Sequence, residues 1–224
     1  MLANAAGPEA AREIATILHS RVLTQGSSEA FGRGCGCENS PMTVPAPFIL
    51  RAAELRDVAA IVQMIRDLAE FEQLGHLVQV TPEKLRPQLF GEKPAAEALV
   101  AELGGGGSGG SGGGAVVAFA LFFTNFSTFL AQPGLYLEDL YVRPEHRGQH
   151  IGKALLTRLA ALAVERGCGR FEWSVLDWNE RAIRFYENVG ATVMPDWRIC
   201  RVSGDRLAAL AALAAPAALG TSGR

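Results

Sequence analysis

The sequence lacks a large excess of charge of either sign, and this near balance excludes one class of partner. Lys and Arg number 21, while Asp and Glu number 23, so the formal net charge is -2 over 224 residues. Proteins that attract nucleic acid through their overall electrostatic field are strongly basic. We therefore expect no nucleic-acid partner.

Long apolar runs and a cysteine framework are also lacking. Hydrophobic residues make up 49% of the chain, yet no uninterrupted run approaches the roughly 20 residues of a membrane-spanning helix. The four cysteines and four histidines have no zinc-binding spacing, and Cys35 lies too close to Cys37 for an easy disulfide. These absences predict a soluble protein in a reducing compartment, with no membrane contact and no metal site.

Three segments divide the chain. Residues 1–46 are predicted to be a disordered tail with one short helix, residues 47–207 a single domain, and residues 208–224 an alanine-rich C-terminal tail. Arginines scattered among small residues near the start allow a plastid transit peptide, but nearby glutamates oppose it, because such peptides are poor in acids. We expect the cytoplasm, with the plastid as the alternative.

Strand-like and helical patterns alternate within the domain, which predicts a mixed α/β fold around one central sheet. A loop of only glycine and serine, Gly104–Gly114, is expected to be mobile. The predicted strands are Phe48–Ala52, Ala98–Leu103, Ala115–Phe123, Leu135–Val142 and Arg170–Leu176, with one or two more at Ala191–Met194 and Trp197–Val202. The predicted helices are Glu54–Glu72, Pro82–Phe90, Ile151–Arg166, Glu180–Asn188 and a weak one over Leu207–Leu219.

The most informative segment runs from the strand Leu135–Val142 through a glycine-containing turn into a helix. The turn reads Arg-Gly-Gln-His-Ile-Gly from Arg147 to Gly152. Backbone N–H groups at the start of a helix lack intrahelical partners, and the helix dipole makes this end positive. A phosphate-bearing ligand is therefore predicted at the turn. The two acids of the preceding strand place carboxylates beside that ligand, which points to an enzyme.

Four motifs in this order resemble the GNAT acetyltransferase superfamily, and within it the diamine (spermidine/spermine-type) and thialysine acetyltransferases. The plant ornithine/diamine type is the most similar. The motifs are Phe71-Glu72, Leu137-Glu138-Asp139, the turn Arg147–Gly152, and Asp177-Trp178-Asn179 with Phe185-Tyr186 and Gly190-Ala191. The resemblance spans about residues 48–207. It implies a mixed sheet with splayed middle strands flanked by helices, acetyl-CoA as acyl donor, and a homodimer.

The resemblance also implies which residues hold the donor. The backbone of Gly148–Gly152 would bind the pyrophosphate, Arg147 would add charge, and pantetheine would pair like a strand with Leu140–Val142. The implied cofactor-binding residues are Leu140, Tyr141, Val142, Arg147, Gly148, Gln149, His150, Ile151, Gly152, Asn179, Glu180, Arg181 and Ala182. Asn179 is equally suited to cap the helix that follows it.

His150 departs from the family pattern, which usually has a second glycine there. A side chain at a position with positive φ costs about 1 kcal/mol. A negative φ at a helix start accepts histidine readily. We expect a tolerated surface substitution, and a donor site that is weakened at most.

Glu138 and Asp139 are the candidate acids of the reaction. Consecutive strand residues point to opposite faces of a sheet, so only one of the two is expected to face a given site. The resemblance assigns Glu138 as the general base, acting through a water, and Asp139 as a substrate-holding group. An alkylammonium with a pKa near ~10.4 must lose a proton before it attacks a thioester.

Tyr186 is the general acid that the resemblance implies for the leaving thiolate. Its spacing with Ala182, Phe185 and Val189 is equally that of a helix face packed on a core. No cysteine lies in the matched catalytic positions, so a covalent acetyl-enzyme is not indicated. The implied substrate-binding residues are Phe71, Glu72, Glu138, Asp139, Glu172, Trp173 and Ser174.

The sequence therefore predicts an acetyl-CoA-dependent N-acetyltransferase acting on a small diamine or basic amino acid. Ornithine, putrescine, 1,3-diaminopropane and thialysine are the acceptors that the resemblance favours, with direct attack in a ternary complex. Two alternatives stay open: an acetyltransferase for protein lysines or N-termini, and a non-catalytic protein that binds acetyl-CoA.

Overall fold

The computed structural model describes residues 48–104 and 114–214. The predicted N-terminal tail and its helix, all but the ends of the glycine–serine loop, and the last part of the alanine-rich tail lie outside these ranges. Within them, no helix has both the length and the apolar character needed to cross a bilayer. The same ranges contain no cluster of three or more His, Cys, Asp or Glu side chains placed to hold a metal ion.

Five strands form one mixed sheet in the order β1-β2-β3-β4-β5. The first three pairings are antiparallel, and β4 pairs with β5 in parallel. The mixed α/β architecture predicted from the sequence is confirmed. The strands are β1 (Phe48–Ala52), β2 (Glu97–Leu103), β3 (Val116–Ser127), β4 (Gln132–Val142) and β5 (Arg170–Trp173).

Five α-helices flank the sheet or follow it along the chain. Two were expected to begin after a capping side chain, and they do: Thr81 Oγ1 accepts from the Lys84 N–H, and Asn179 Oδ1 from the Ala182 N–H. The helices are α1 (Val58–Phe71), α2 (Pro82–Phe90), α3 (Ile151–Glu165), α4 (Glu180–Asn188) and α5 (Asp205–Ala212). Single 3-10 turns precede α1 (Leu55–Asp57), α2 (Gly75–Leu77) and α3 (Pro144–His146).

Both faces of the sheet are covered, because side chains alternate along its strands. Phe119 and Leu121 of β3 pack with Ile61 and Met64 of α1. Their neighbours on the opposite face, among them Phe122, pack against α3. The helical periodicity of residues 54–72 and 151–166 therefore matches the observed layers.

The strands predicted at residues 191–194 and 197–202 are wrong. Neither segment has strand or helix structure, and the described sheet ends at β5. Their apolar side chains stay exposed, with Trp197 at 72% and Ile199 at 69%. An alternating pattern becomes a strand only where a neighbour completes its backbone hydrogen bonds. Strand β5 also ends at Trp173, three residues before the predicted Leu176.

Strands β4 and β5 separate part of the way along the sheet. Their pairing runs only from Gly134 opposite Arg170 to Leu137 opposite Trp173, whereas β4 continues to Val142 on its other neighbour, β3. Beyond Leu137, the edge of β4 that faces β5 therefore has no strand partner within the part of the chain that the structure describes. The splayed middle strands expected from the family resemblance are confirmed.

A β-bulge interrupts β4 at Glu138. Leu121 pairs with Asp139 and Phe122 with Leu137, which leaves Glu138 as the extra residue. The bulge inverts the alternation of side chains: Leu137 packs on the α3 face, whereas Tyr141 packs on the α1 face. Asp139 therefore lies on the same face as Tyr141, toward α1.

Arg51 of β1 joins two buried acids from different parts of the chain. Its two Nη groups donate to the Asp57 carboxylate at 2.6 and 2.9 Å, and its Nε donates to Glu102 at 2.5 Å. Asp57 is only 3% exposed. Burial by itself raises the pKa of Asp57, but the hydrogen bonds and charge of Arg51 outweigh it, so the net pKa is lowered.

We expect the Asp57→Asn substitution to lower the free energy of unfolding by about 2 kcal/mol at pH 7, because it leaves Arg51 short of a charged partner. Since the folded-state pKa is lowered, the stabilisation is present above the ordinary value of 3.8 and is lost as the pH falls through the folded-state pKa. Urea denaturation at pH 7 and pH 3 measures both effects. The control is Glu165→Gln, which breaks the exposed ion pair with Arg158. Equal losses in the two variants would contradict the prediction.

Candidate active site

One cavity of about 650 Å³ opens where β4 and β5 separate. Its walls come from the end of α1, the splayed edge of β4, the start of α3, and α4. Most of the residues predicted from the sequence line it. They are Phe71, Glu72, Glu138, Asp139, Leu140, Tyr141, Val142, Arg147, Gly148, His150, Ile151, Gly152, Trp173, Ser174, Asn179, Arg181, Ala182 and Tyr186.

Three predicted site residues do not line this cavity. Glu172 pairs with Arg170 at 2.8 Å and accepts from the Asn125 amide at 3.3 Å. Glu180 pairs with Arg184 one turn along α4. The side chain of Gln149 is largely buried beside the turn, and its Oε1 has no hydrogen-bond partner among the described residues.

The cavity also contains residues that the sequence reasoning did not select. In the sequence pattern, Phe185 belongs to an apolar helix face. Lys153 directly follows the glycine turn, and this position is the signal by which the sequence could have identified it. The full set is Leu68, Leu137, His146, Lys153, Val175, Leu176, Phe185, Asn188 and Val189. Most are apolar, so the sequence marks them as core residues rather than as cavity walls.

The end of the cavity at which the sequence predicts the donor is the turn before α3. Gly148 has φ +81, with no atom within 4 Å of the position that a Cβ would take. Helix α3 starts without a side-chain cap, so its first N–H groups face the cavity mouth with the positive end of the helix dipole. This arrangement fits an anionic group such as a phosphate.

His150 has φ +61 and ψ 8, which is the left-handed region. Of the two backbone conformations left open for this position, the structure therefore has the one with positive φ. The chain must reverse its direction between the 3-10 turn and α3, and it does so through two residues with positive φ, Gly148 and His150. A side chain at such a position is strained, since its Cβ approaches the neighbouring carbonyl oxygen.

We expect the His150→Gly substitution to raise the free energy of unfolding by about 0.5–1 kcal/mol, because the strain relieved exceeds the added flexibility of the unfolded chain. His150→Ala is the matched control, since it removes the imidazole but keeps the Cβ. Chemical denaturation of the three proteins measures the difference. A stabilisation as large in the alanine variant would show that the imidazole, not the backbone, is responsible.

Both acids of β4 line the cavity, contrary to the expectation that only one would. The bulge at Glu138 is the reason, because it breaks the strict alternation of the strand. Glu138 is exposed, whereas Asp139 is mostly buried. Burial raises the pKa of Asp139 to about 6, with smaller contributions from the charges of Glu138 and Glu72. Burial also raises the pKa of Glu72.

Tyr186 of α4 lies in the cavity wall with its ring against Trp173 and Phe185, at centroid distances of 5.1 and 5.4 Å. Burial, and then the charge of Glu72, raises the pKa of its phenol. The hydroxyl is therefore protonated at neutral pH, as a proton donor must be. Because the Glu72 charge acts on both Asp139 and Tyr186, the three groups share one electrostatic environment.

The splayed sheet, the turn before α3 and the acids beside them agree with the acyltransferase site expected from the sequence. Residues 63–191 match the model of the acetyltransferase (GNAT) family. The chain belongs to this family and is an acyl-transferring enzyme.

Curated relatives agree with this assignment, and a solved structure has the same fold. The chain is 38% identical over 169 residues to a thialysine N-epsilon-acetyltransferase of Sus scrofa, with 74% of this chain and 98% of the relative covered. It is 34% identical over 197 residues to the L-ornithine N5-acetyltransferase NATA1 of Arabidopsis thaliana, with 72% and 86% covered. The integron cassette protein VCH_CASS6 from the mobile metagenome of V. cholerae has the same fold, with a TM-score of 0.59, 23% identity, and 73% and 97% covered.

Proposed function

We propose that this chain transfers the acetyl group of acetyl-CoA to a primary amine of a small diamine or basic amino acid. Ornithine, thialysine, putrescine and 1,3-diaminopropane are the leading acceptors. The relatives from Sus scrofa and Arabidopsis thaliana, which are named as acetyltransferases of thialysine and ornithine, support this class. The family resemblance also predicts a homodimer, which sedimentation equilibrium measures.

The observation that carries the proposal is the cluster of three carboxyl groups in one cavity. Glu72 at the end of α1 and Glu138 and Asp139 on β4 all line it. Burial raises the free energy of the ionised form of Asp139, and its pKa is therefore raised to about 6. A cationic acceptor relieves that cost, because an ammonium beside the cluster stabilises the charged carboxylates. An acceptor with two basic groups uses such a cluster best.

The three acids of the cavity have different roles toward the acceptor. Asp139, deeper in the cavity and turned toward α1, holds the ammonium. Glu138, exposed at the bulge, accepts the proton through a water, so that the amine becomes nucleophilic. Glu72 binds the distal charge, and Phe71, Trp173 and Ser174 form the walls around the carbon chain. Glu172 has no place in this arrangement, because it is bonded elsewhere on the sheet.

The donor residues orient the second substrate. Bound acetyl-CoA supplies an acetyl group that its thioester activates toward amines. Backbone N–H groups from Gly148 to Gly152 bind its pyrophosphate, and the unpaired edge of β4 from Leu140 to Val142 pairs with pantetheine. Tyr186 gives its proton to the leaving sulfur.

The decisive experiment is an acceptor panel assayed by release of free CoA, with mass spectrometry of the products. Ornithine, thialysine, putrescine and 1,3-diaminopropane form one arm, and lysine-containing peptides and free peptide N-termini form the other. We expect turnover in the first arm, with one acetyl group added per molecule. Turnover of peptides alone would show that the acceptor class is wrong. CoA binding without turnover of any amine would show a non-catalytic protein.

A further inference from the structure

Phe71 lies between two neighbours that belong to different parts of the site. It is the last residue of α1, directly before Glu72, and its ring is 45% exposed. The ring contacts Trp178, at a centroid distance of 5.8 Å. The Arg147 guanidinium carbon lies over the same ring, 5.6 Å from its centroid. The acceptor end of α1 thus contacts the arginine of the donor turn.

Arg147 is held by three contacts. Its guanidinium carbon also lies 5.5 Å from the centroid of the Tyr141 ring, and its Nε donates to the Val142 carbonyl at 2.9 Å. A planar guanidinium can stack on aromatic rings while it donates in its own plane, which an ammonium cannot do. Since Nε is used on Val142, and the described residues offer the Nη atoms no acceptor, the four N–H groups on the two Nη atoms remain for a ligand.

We propose that Phe71 is a positioning residue for the donor: with Tyr141 it holds the Arg147 guanidinium at the end of the splayed β4 edge, ready for a phosphate. This inference rests on the proposed function, because it assumes a phosphate-bearing donor at the turn. It differs from the sequence-based role of Phe71 as an acceptor-binding residue. Trp178, outside the cavity lining, is a second aromatic neighbour of the Phe71 ring.

The physical benefit is preorganisation. A free arginine side chain samples many rotamers, and a phosphate that binds it must first restrict them. Two ring faces and one carbonyl impose that restriction before the donor arrives. Loss of one ring therefore weakens donor binding, although Phe71 itself touches no phosphate. Loss of the planar guanidinium has the same consequence, even when the positive charge is kept.

The test measures CoA binding by calorimetry, without any acceptor. We expect Phe71→Leu to raise the CoA dissociation constant about two- to fivefold, which is the usual contribution of an exposed cation–π contact. Phe71→Tyr, which keeps an aromatic ring, should bind CoA like the wild type. Arg147→Lys should lose at least as much as Phe71→Leu, and adding Phe71→Leu to it should cost little more, because the shared contact is already gone.

Leu74→Ala is the matched control, since Leu74 is an exposed apolar residue just beyond α1 and outside the cavity lining. It should not change CoA binding. With the preferred amine, Phe71→Leu should also raise the KM for acetyl-CoA, to about the same extent as the CoA dissociation constant.

Three outcomes separate the possibilities. An unchanged CoA dissociation constant in Phe71→Leu, with a raised KM for the amine, would overturn this inference and leave the proposed function intact. Fully additive losses in the double variant would also overturn it, because Phe71 and Arg147 would then act independently. A wild-type chain that binds no CoA would refute the proposed function itself.

Discussion

A Tyr186→Phe variant is expected to lose about 100-fold or more in kcat with the preferred amine, which is the usual contribution of a positioned general acid. The ring contacts with Trp173 and Phe185 do not involve the hydroxyl, so the fold and the KM for acetyl-CoA should stay close to wild type. The expected split between kcat and KM identifies an interaction that is made in the transition state. Steady-state kinetics with both substrates varied measures it.

Tyr136→Phe is the control for this experiment. It removes a phenolic hydroxyl of β4 that shares a hydrogen bond with Ser174 Oγ at 2.8 Å, at a residue that does not itself line the cavity, and kcat should change far less than in Tyr186→Phe. A Tyr186→Phe variant with wild-type kcat would contradict the general-acid assignment and leave Tyr186 as a packing residue. A loss of kcat would also contradict the assignment if the variant were strongly destabilised toward heat, because the loss would then reflect the fold and not proton transfer.

An Asp139→Asn variant is expected to lose about 100-fold in kcat/KM for the amine, because the buried carboxylate that holds the ammonium is gone.

The pH profile of kcat/KM gives a second, independent signature of Asp139. Asp139 has a pKa of about 6, so kcat/KM of the wild type should fall about tenfold per pH unit below that value. Asp139→Asn should lack this limb. Glu138→Gln should move the acidic limb of the pH profile to lower pH, because the charge of Glu138 no longer raises the pKa of Asp139.

The stability of the Asp139→Asn variant should change in the opposite direction to its activity. A group whose folded-state pKa is raised favours folding at low pH, and this advantage is lost as the pH rises through the folded-state pKa. At pH 7 the ionised Asp139 therefore destabilises the fold, and asparagine should stabilise it by about 2 kcal/mol. Thermal denaturation of both proteins at pH 5 and pH 7 measures this difference. The stability gained by Asp139→Asn over the wild type should be larger at pH 7.

Glu187→Gln is the matched control for both measurements, since Glu187 is exposed on α4 and does not line the cavity. It should leave the pH profile and the stability unchanged. If Asp139→Asn kept the acidic limb, the limb would belong to another group and the role of Asp139 would be refuted. Lower stability of this variant at pH 7 would contradict the burial argument.

Features that depend on residues within a few positions of one another could be predicted from the sequence. The periodicity of α1 and α3, the caps at Thr81 and Asn179, and the strand that leads into a glycine turn are interactions of this local kind. Together with the order of the four motifs, they identified the fold, the family and most of the cavity wall. Glu172 was predicted in the cavity but lies outside it, because its side chain bonds Asn125, which is 47 residues away along the chain.

Pairings between distant segments needed the tertiary structure. The same strand pattern forms β5 at residues 170–173 and remains unpaired at residues 197–202, because only the former has a neighbouring strand. The bulge at Glu138 depends on the register against β3, and it alone brings both acids into one cavity.

The sequence by itself determined which chemistry the chain carries: an anion-binding turn, acids on the strand before it and a tyrosine on a later helix. Local propensity and side-chain type suffice for that. The tertiary structure decided how those groups meet. It set the positive φ of His150, the burial that raises the pKa of Asp139, and the contact of Phe71 with Arg147. Each depends on the packing of segments far apart in the chain, which no local pattern records.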